Sequence, residues 1–173
     1  FTGGSVDPAS LHQGDRVIVV VSGRSAQART LALVVDDPLP AGFEIETVLG
    51  PDDAQNGPFR FLGELSSADV QESRDDRYVA AMDLAGKANF SFAYVARAVT
   101  PGEFLLPGAQ AKDMYRPTLS ARTAATRTAI AVAIAEPSIA WGEGRVQVIA
   151  MVAFSESDRE AFQTVFEQLV EVF

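Results

Sequence analysis

Residue types that support catalysis are scarce in this chain, and the carboxylates that could act together lie in a few short stretches. Asp36 and Asp37 are adjacent, and paired carboxylates can serve as general acid and base. Because neighbouring residues of an extended chain face opposite ways, these two are not expected to share a site, and a role in capping the loop 36–42 is favoured. The oxygen-rich loop 49–57 could bind calcium, but it lacks EF-hand spacing and a closing glutamate, which favours a solvated loop.

A second charged stretch, Arg74-Asp75-Asp76-Arg77, comes directly before an apolar segment that begins at Tyr78. Runs of charge usually form solvated surface, but a cluster at the start of a buried strand can make a partly buried network of ion pairs. We therefore interpret this run as a structural latch rather than a catalytic site.

Composition excludes several classes of function. The chain has no cysteine and one histidine, His12, which leaves no material for thiolate chemistry, a histidine metal cluster or a Ser-His-Asp triad. The net charge of −9 argues against nucleic acid or an anionic membrane as a partner. The chain has no run of eighteen apolar residues, so no membrane-spanning helix is predicted. We expect no enzymatic activity, no cofactor, no metal ion and no insertion into a membrane.

The elements that must position the charged groups are predicted to be short strands. Apolar runs recur along the chain with proline and glycine between them, which is typical of an antiparallel β-sandwich. The predicted strands are 17–21, 30–35, 43–48, 78–84 and 89–98. The last two are predicted to pair as a hairpin, and the β-branched run 17–21 is typical of a strand buried on both faces.

The strand 89–98 leads to an irregular loop. Phe90, Phe92 and Tyr94 alternate with small residues, which predicts one aromatic face. Proline and glycine then interrupt the chain twice before it reaches residues 113–117, DMYRP, where a large aromatic ring stands among charges.

Past residue 117 the pattern changes. Residues 128–135 and 146–154 are predicted to be strands, and an amphipathic helix is predicted over 157–173, where Ser157 and Glu160 have the spacing of a capping box. The predicted fold class is therefore mainly β, a sandwich with a C-terminal strand–strand–helix extension that packs a single helix.

Three stretches resemble the last domain of bacterial alpha-2-macroglobulins, which are large periplasmic protease traps. They are DDPLPAGFE at 36–44, RDDRYVAA at 74–81 and YVARAVTPGEFLLPGAQAKDMYRP at 94–117, and they occur in the family's order. The resemblance covers about residues 1–128. It implies a non-catalytic, periplasmic β-sandwich domain of a protease inhibitor, with the thioester domain of the same chain as its partner and, indirectly, a target protease.

In that family a tyrosine of the last domain shields the partner's thioester until a protease cuts the bait region. The matching tyrosine is Tyr115, so the resemblance assigns the shielding interface to Asp113, Met114 and Tyr115. A flat apolar ring excludes water from an electrophile that water would hydrolyse. The alternative is that Tyr115 is only a packed loop aromatic.

The tail, about residues 128–173, is similar to the fructose/mannitol class of enzyme IIA domains of the bacterial sugar phosphotransferase system. That family accepts phosphate on a histidine, whereas the nearest equivalent stretch here, Ser120-Ala121-Arg122, contains none. Phosphoryl transfer is therefore not carried over to any residue. The two resemblances together imply a sandwich over 1–127 and a strand–strand–helix segment over 128–173, packed on it.

Three other interpretations stay open at this point. The chain could be an engineered or recombined chimeric scaffold with no activity, in which a periplasmic domain is joined to a cytoplasmic fragment. It could be a remnant enzyme IIA that lacks its phosphoryl-accepting histidine. It could also be a natural variant of the macroglobulin family.

Overall fold

The computed structural model describes residues 6–132 and 146–150, and these residues form a mainly β structure. Within them lie twelve strands, one α-helix, α1 (Pro51–Asn56), and two 3₁₀ turns, Pro8–Ser10 and Arg60–Leu62. The strands in chain order are β1 (Leu11–His12), β2 (Arg16–Arg24), β3 (Leu31–Pro38), β4 (Phe43–Leu49), β5 (Val70–Ser73), β6 (Arg77–Leu84), β7 (Asn89–Ala98), β8 (Gly102–Leu106), β9 (Gln110–Asp113), β10 (Ser120–Arg122), β11 (Thr126–Ala131) and β12 (Val146–Ala150).

The strands form three sheets, most of whose pairings are antiparallel. The five-stranded sheet has the order β10-β9-β3-β6-β5, and every pair in it is antiparallel. In the four-stranded sheet, β12-β2-β7-β4, only β12 is parallel to its neighbour. The three-stranded sheet has the order β1-β11-β8, with β1 parallel to β11. The predicted mainly β fold with antiparallel sheets is confirmed.

The main core lies between the two larger sheets. Phe90, Phe92 and Tyr94 of β7 are all buried there, which confirms the predicted aromatic face. Leu33 and Val35 of β3 are buried in the same core. Burial of each such side chain contributes about 1.5–3 kcal/mol to folding, so this alternation is a principal stabilising feature of the sandwich.

A smaller apolar cluster covers the other face of the four-stranded sheet. Ile18 of β2 and Val95 of β7 pack there against Ala54 of α1 and against Leu65. Val17 and Ile18, which point to opposite faces, are both fully buried. The prediction that the run 17–21 is buried on both faces is confirmed at these two positions.

The predicted hairpin between strands 78–84 and 89–98 is wrong. β6 pairs with β3 and β5, whereas β7 pairs with β2 and β4, so the connection 85–88 passes from one sheet to the other. It is held by the N–H of Lys87, which donates to the carbonyl of Gln27 at 2.8 Å. A short turn between two apolar strands suits either arrangement, and only the pairing partners across the core decide between them.

Two predicted loops are partly regular structure. The stretch 49–57 contains α1, which begins with a proline in its first turn and has Asp53 accepting the N–H of Gly50 at 2.8 Å. In the described part of the chain no group of three or more acidic or histidine side chains is arranged to hold a metal ion. The predicted loop 36–42 is also wrong at its start, because β3 continues through Asp36 and Asp37 to Pro38.

The tail is described only in part. The strands predicted at 128–135 and 146–154 correspond to β11 and β12, while the helix predicted at 157–173 lies outside the described residues. The predicted domain boundary between residues 127 and 128 falls within β11, and that division stays a prediction. No helix among residues 6–132 and 146–150 has the length and apolar character needed to cross a membrane.

Candidate functional site

The loop after β9 is anchored at both of its ends. Asp113, the last residue of β9, lies opposite Leu33 of β3, and its N–H donates to the carbonyl of Leu119 at 2.9 Å. The next N–H, that of Met114, donates to the carbonyl of Ala32 at 2.8 Å. The sheet therefore holds the start of the loop, and Asp113 closes the loop onto its own far end.

The carboxylate of Asp113 holds the loop from inside. Its side chain is inaccessible to solvent, and its Oδ1 accepts the backbone N–H groups of Tyr115 at 3.0 Å and Arg116 at 2.8 Å. Its Oδ2 accepts Nη2 of Arg116 at 2.6 Å. The Arg116 hydrogen bond, and after it those two backbone N–H groups, lower the pKa of Asp113 against the opposing effect of burial. The group is therefore a buried anion with a hydrogen-bond donor on each of its oxygens.

The side chains at the tip of this loop point away from the domain. Met114 is 53% exposed and Tyr115 is 79% exposed, although the chain around them is tightly hydrogen-bonded. Arg116 turns back instead and donates to the carbonyl of Thr30 at 3.4 Å. Tyr115 is therefore not packed within the described part of this chain, and two large apolar side chains stand in solvent on a rigid support, a feature typical of interfaces.

The predicted latch is only partly assembled. Arg77, the first residue of β6, contacts Asp76 at 2.8 Å and Asp36 of β3 at 3.3 Å. Arg74 pairs with Glu72 of its own strand region at 2.7 Å instead. The side chain of Asp75 is exposed, and among the described residues no cation lies within 4.0 Å of its carboxylate. The arrangement joins β3 to β6 through one arginine, and its role as a latch stays a prediction.

A buried polar pair lies close to this cluster, and sequence reasoning missed it. The hydroxyl of Tyr94 donates to Oδ2 of Asp37 at 2.8 Å, and both side chains are buried. Burial raises the pKa of Asp37 to about 7, with the Tyr94 hydrogen bond opposing the shift and the charge of Asp36 adding to it. The interpretation of Asp37 as a loop-capping residue was wrong, whereas the prediction that Asp36 and Asp37 face opposite ways is confirmed.

The signal for this pair was present in the sequence. Leu31, Leu33 and Val35 alternate on the inward face of β3, and Asp37 is the next residue in that series. The cavity beside it has a volume of about 20 Å³ and is lined mainly by apolar side chains, room for about one water and none for a substrate. The Asp37–Tyr94 pair therefore belongs to the core rather than to an active site.

The fold and its exposed loop can be compared with known proteins. Residues 2–118 match the family model of the bacterial alpha-2-macroglobulin MG10 domain. The alpha-2-macroglobulin of Xylella fastidiosa (strain Temecula1) is 40% identical over 119 residues, 65% of this chain. That of Escherichia coli K12 is 34% identical over 128 residues, 67% of this chain. The chain spans 7% of the length of each of these relatives.

Solved structures give the same result. A crystal structure of Salmonella alpha-2-macroglobulin reacted with methylamine has a TM-score of 0.61 and 31% identity, over 73% of this chain and 8% of that one. A crystal structure of native Escherichia coli alpha-2-macroglobulin from domain MG7 to the C-terminus has a TM-score of 0.59 and 28% identity, over 75% of this chain and 21% of that one.

These matches bear differently on the two resemblances found in the sequence. The family model ends at residue 118, and none of the comparisons supports the enzyme IIA resemblance of the tail or a join between two sources. The predicted macroglobulin resemblance is confirmed by family model, relatives and fold together. The chain belongs to the bacterial alpha-2-macroglobulin family, and residues 2–118 are its MG10 domain.

Proposed function

We propose that this chain is a non-catalytic domain of a periplasmic protease inhibitor of the alpha-2-macroglobulin type. The domain docks on the thioester domain of the same macroglobulin polypeptide and shields the thioester with Tyr115. The observation that carries the proposal is the 79% exposure of the Tyr115 side chain on a loop that Asp113 holds rigid. A large ring left uncovered by its own domain is suited to burial against another. The chain has no cysteine, so the thioester belongs to the partner.

The rigidity of the loop matters for docking because ordering a loop on binding costs free energy. Two backbone N–H groups and one guanidinium already fix the loop on Asp113 before any partner arrives. Docking therefore leaves little backbone to be ordered, and more of the contact energy remains as affinity. Met114, beside Tyr115 and 53% exposed, enlarges the apolar area available to the partner.

Shielding follows from the chemistry of a thioester. Its carbonyl carbon is attacked by water or by an amine, and a ring lying over that carbon blocks the approach of both. The domain supplies no acid, base or nucleophile to the reaction in this proposal. Its role is to exclude water until a target protease changes the arrangement of the domains, which is what the family resemblance implies for this position.

The test uses the full chain added to the isolated thioester domain of the Escherichia coli relative. Release of the free thiol is measured with a thiol reagent while methylamine attacks the thioester. We expect the chain to slow thiol release, Tyr115→Ala to lose this protection and Tyr115→Phe to keep it, because the ring rather than the hydroxyl blocks the approach of the amine. Equal protection by the wild-type chain and the alanine variant, or none by either, would overturn the proposal.

A further inference from the structure

Three segments come together at the end of the sandwich that carries Tyr115. They are residues 24–30, 85–88 and 112–119, and they are named here the loop cluster. The N–H of Ser25 donates to the carbonyl of Ala88 at 3.0 Å, which joins the first two segments, as does the 2.8 Å bond from Lys87 to Gln27. The contact of Arg116 with Thr30 joins the third segment to the first. The loop cluster is therefore one continuous surface.

The charge of this surface is opposite to that of the chain as a whole. The chain carries 23 acidic and 14 basic residues, yet the loop cluster has a single carboxylate, that of Asp113, which is buried. Its five cations are Arg24, Arg29, Lys87, Lys112 and Arg116. Within an acidic domain these three segments thus carry five positive charges against one negative charge, and Met114 and Tyr115 project from the third segment. Asp83 of β6, opposite Ala32 of β3, adjoins them.

The cations of the loop cluster also differ from other cations of the chain in how they are paired. Among the described residues, four of these five cations have no carboxylate within 4.0 Å, and only Arg116 forms an ion pair. Asp83, near the end of β6, pairs with none of the five. Outside the loop cluster, five of the seven described cations do form ion pairs. These five are Arg16, Arg74, Arg77, Arg97 and Arg127.

We infer that the loop cluster is a basic docking surface whose partner is an acidic protein face with an apolar recess for Tyr115. The identification of that partner as the thioester domain rests on the function proposed above. Four cations without carboxylate partners, in the same loop cluster as two exposed apolar side chains, fit a surface whose counter-charges lie on another domain. Charge complementarity of this kind raises the rate of docking more than it raises affinity, and it fixes orientation.

The consequence is a dependence of docking on salt. Charges at the edge of an interface are screened when the Debye length shrinks from about 14 Å in dilute salt to below about 6 Å. Association driven by opposite charges then slows, whereas the apolar contact of Tyr115 is little affected by salt. The association rate therefore reports mainly on the cations of the loop cluster, and the affinity at high salt reports mainly on the ring of Tyr115.

The experiment measures association and dissociation rates of the full chain with the thioester domain of the Escherichia coli relative, at low and high salt. Lys112→Glu and Arg29→Glu each reverse one charge of the loop cluster. The matched control is Arg127→Glu, on β11 beside Leu105 and 84% exposed, which makes the same change of charge outside the loop cluster. Thermal unfolding of each variant checks that it is folded.

We expect each loop-cluster reversal to slow association by about 3- to 10-fold at low salt, the control by less than about 2-fold, and high salt to remove the difference. If Tyr115→Ala weakens docking while the charge reversals and salt have no effect, the loop cluster is not a basic docking surface and the proposed function stands. If the reversals act and Tyr115→Ala does not, the basic surface stands and the role of Tyr115 fails. Absence of binding by the wild-type chain would overturn both.

Discussion

Tyr94 and Asp37 form a hydrogen bond of 2.8 Å that crosses the core from one sheet to the other. Asp37 belongs to β3 of the five-stranded sheet and Tyr94 to β7 of the four-stranded sheet. The ring of Tyr94 stacks on that of Tyr78 with centroids 5.0 Å apart, which holds the hydroxyl in place. A polar pair inside an apolar core is stable only when it is satisfied, so this bond selects one alignment of the two sheets.

The first prediction concerns the pH dependence of stability. Burial raises the pKa of Asp37 from 3.8 to about 7, so between these values the folded chain binds a proton that the unfolded chain has released. The contribution of Asp37 to the free energy of unfolding is therefore complete below about pH 4 and is lost as the pH rises to about 7. We expect a loss of about 2–4 kcal/mol over this range, measured by denaturant unfolding.

Asp37→Asn is the matched variant for that measurement. The amide is neutral at every pH in this range, and its oxygen can still accept the Tyr94 hydroxyl. The difference in unfolding free energy between Asp37→Asn and the wild type should shift in favour of the variant from pH 4 to pH 7. Comparing the two chains cancels the effect of titrating groups that do not interact with Asp37, and parallel pH profiles would contradict the prediction.

The second prediction concerns the carboxylate that holds the Tyr115 loop. Asp113→Ala leaves the N–H groups of Tyr115 and Arg116 without their acceptor, so we expect a loss of about 1–3 kcal/mol in stability and faster hydrogen exchange at both amides. The pKa of Asp113 is lowered, so its contribution is present above the unfolded value near 3.8 and is lost as the pH falls through the folded pKa. The cost of the substitution should therefore shrink in strong acid.

Asp113→Asn separates the hydrogen bonds of this residue from its charge. The asparagine oxygen can still accept the two backbone N–H groups, but it no longer carries the charge that Arg116 contacts. Hydrogen exchange at residues 115 and 116 should be intermediate between the wild type and Asp113→Ala. Unchanged exchange in both variants would show that the carboxylate does not hold the loop.

The third prediction concerns the connection between the two larger sheets. A Cβ atom added at Gly86 would fall on the backbone carbonyl of Ala28, so the loops 24–30 and 85–88 approach too closely for any side chain there. Gly86→Ala should destabilise the fold by about 1–3 kcal/mol in thermal unfolding. Gly50→Ala is the control, because its Cβ would meet only Asp53 Oδ2 at 3.8 Å and should cost less.

Parts of this architecture could be predicted from local patterns. The alternation of Phe90, Phe92 and Tyr94 placed one aromatic face in the core because side chains of a strand alternate between faces. The same rule separated Asp36 from Asp37, yet the proline that follows them suggested a loop. Proline is tolerated at the end of β3 because β9 pairs with β3 only as far as Asp36, so the strand continued three residues further than its composition indicated.

The sequence by itself determined the mainly β fold, the family and the loop that carries Tyr115, because strand alternation, turn residues and the run DMYRP are local properties of the chain. Tertiary structure alone decided that β6 and β7 lie in different sheets, that Asp37 reaches Tyr94 across the core, and that hydrogen bonds join three cation-bearing segments, one of which carries Tyr115. Each of these joins residues far apart in the chain. Their proximity depends on how the sheets pack, which no short stretch of sequence specifies.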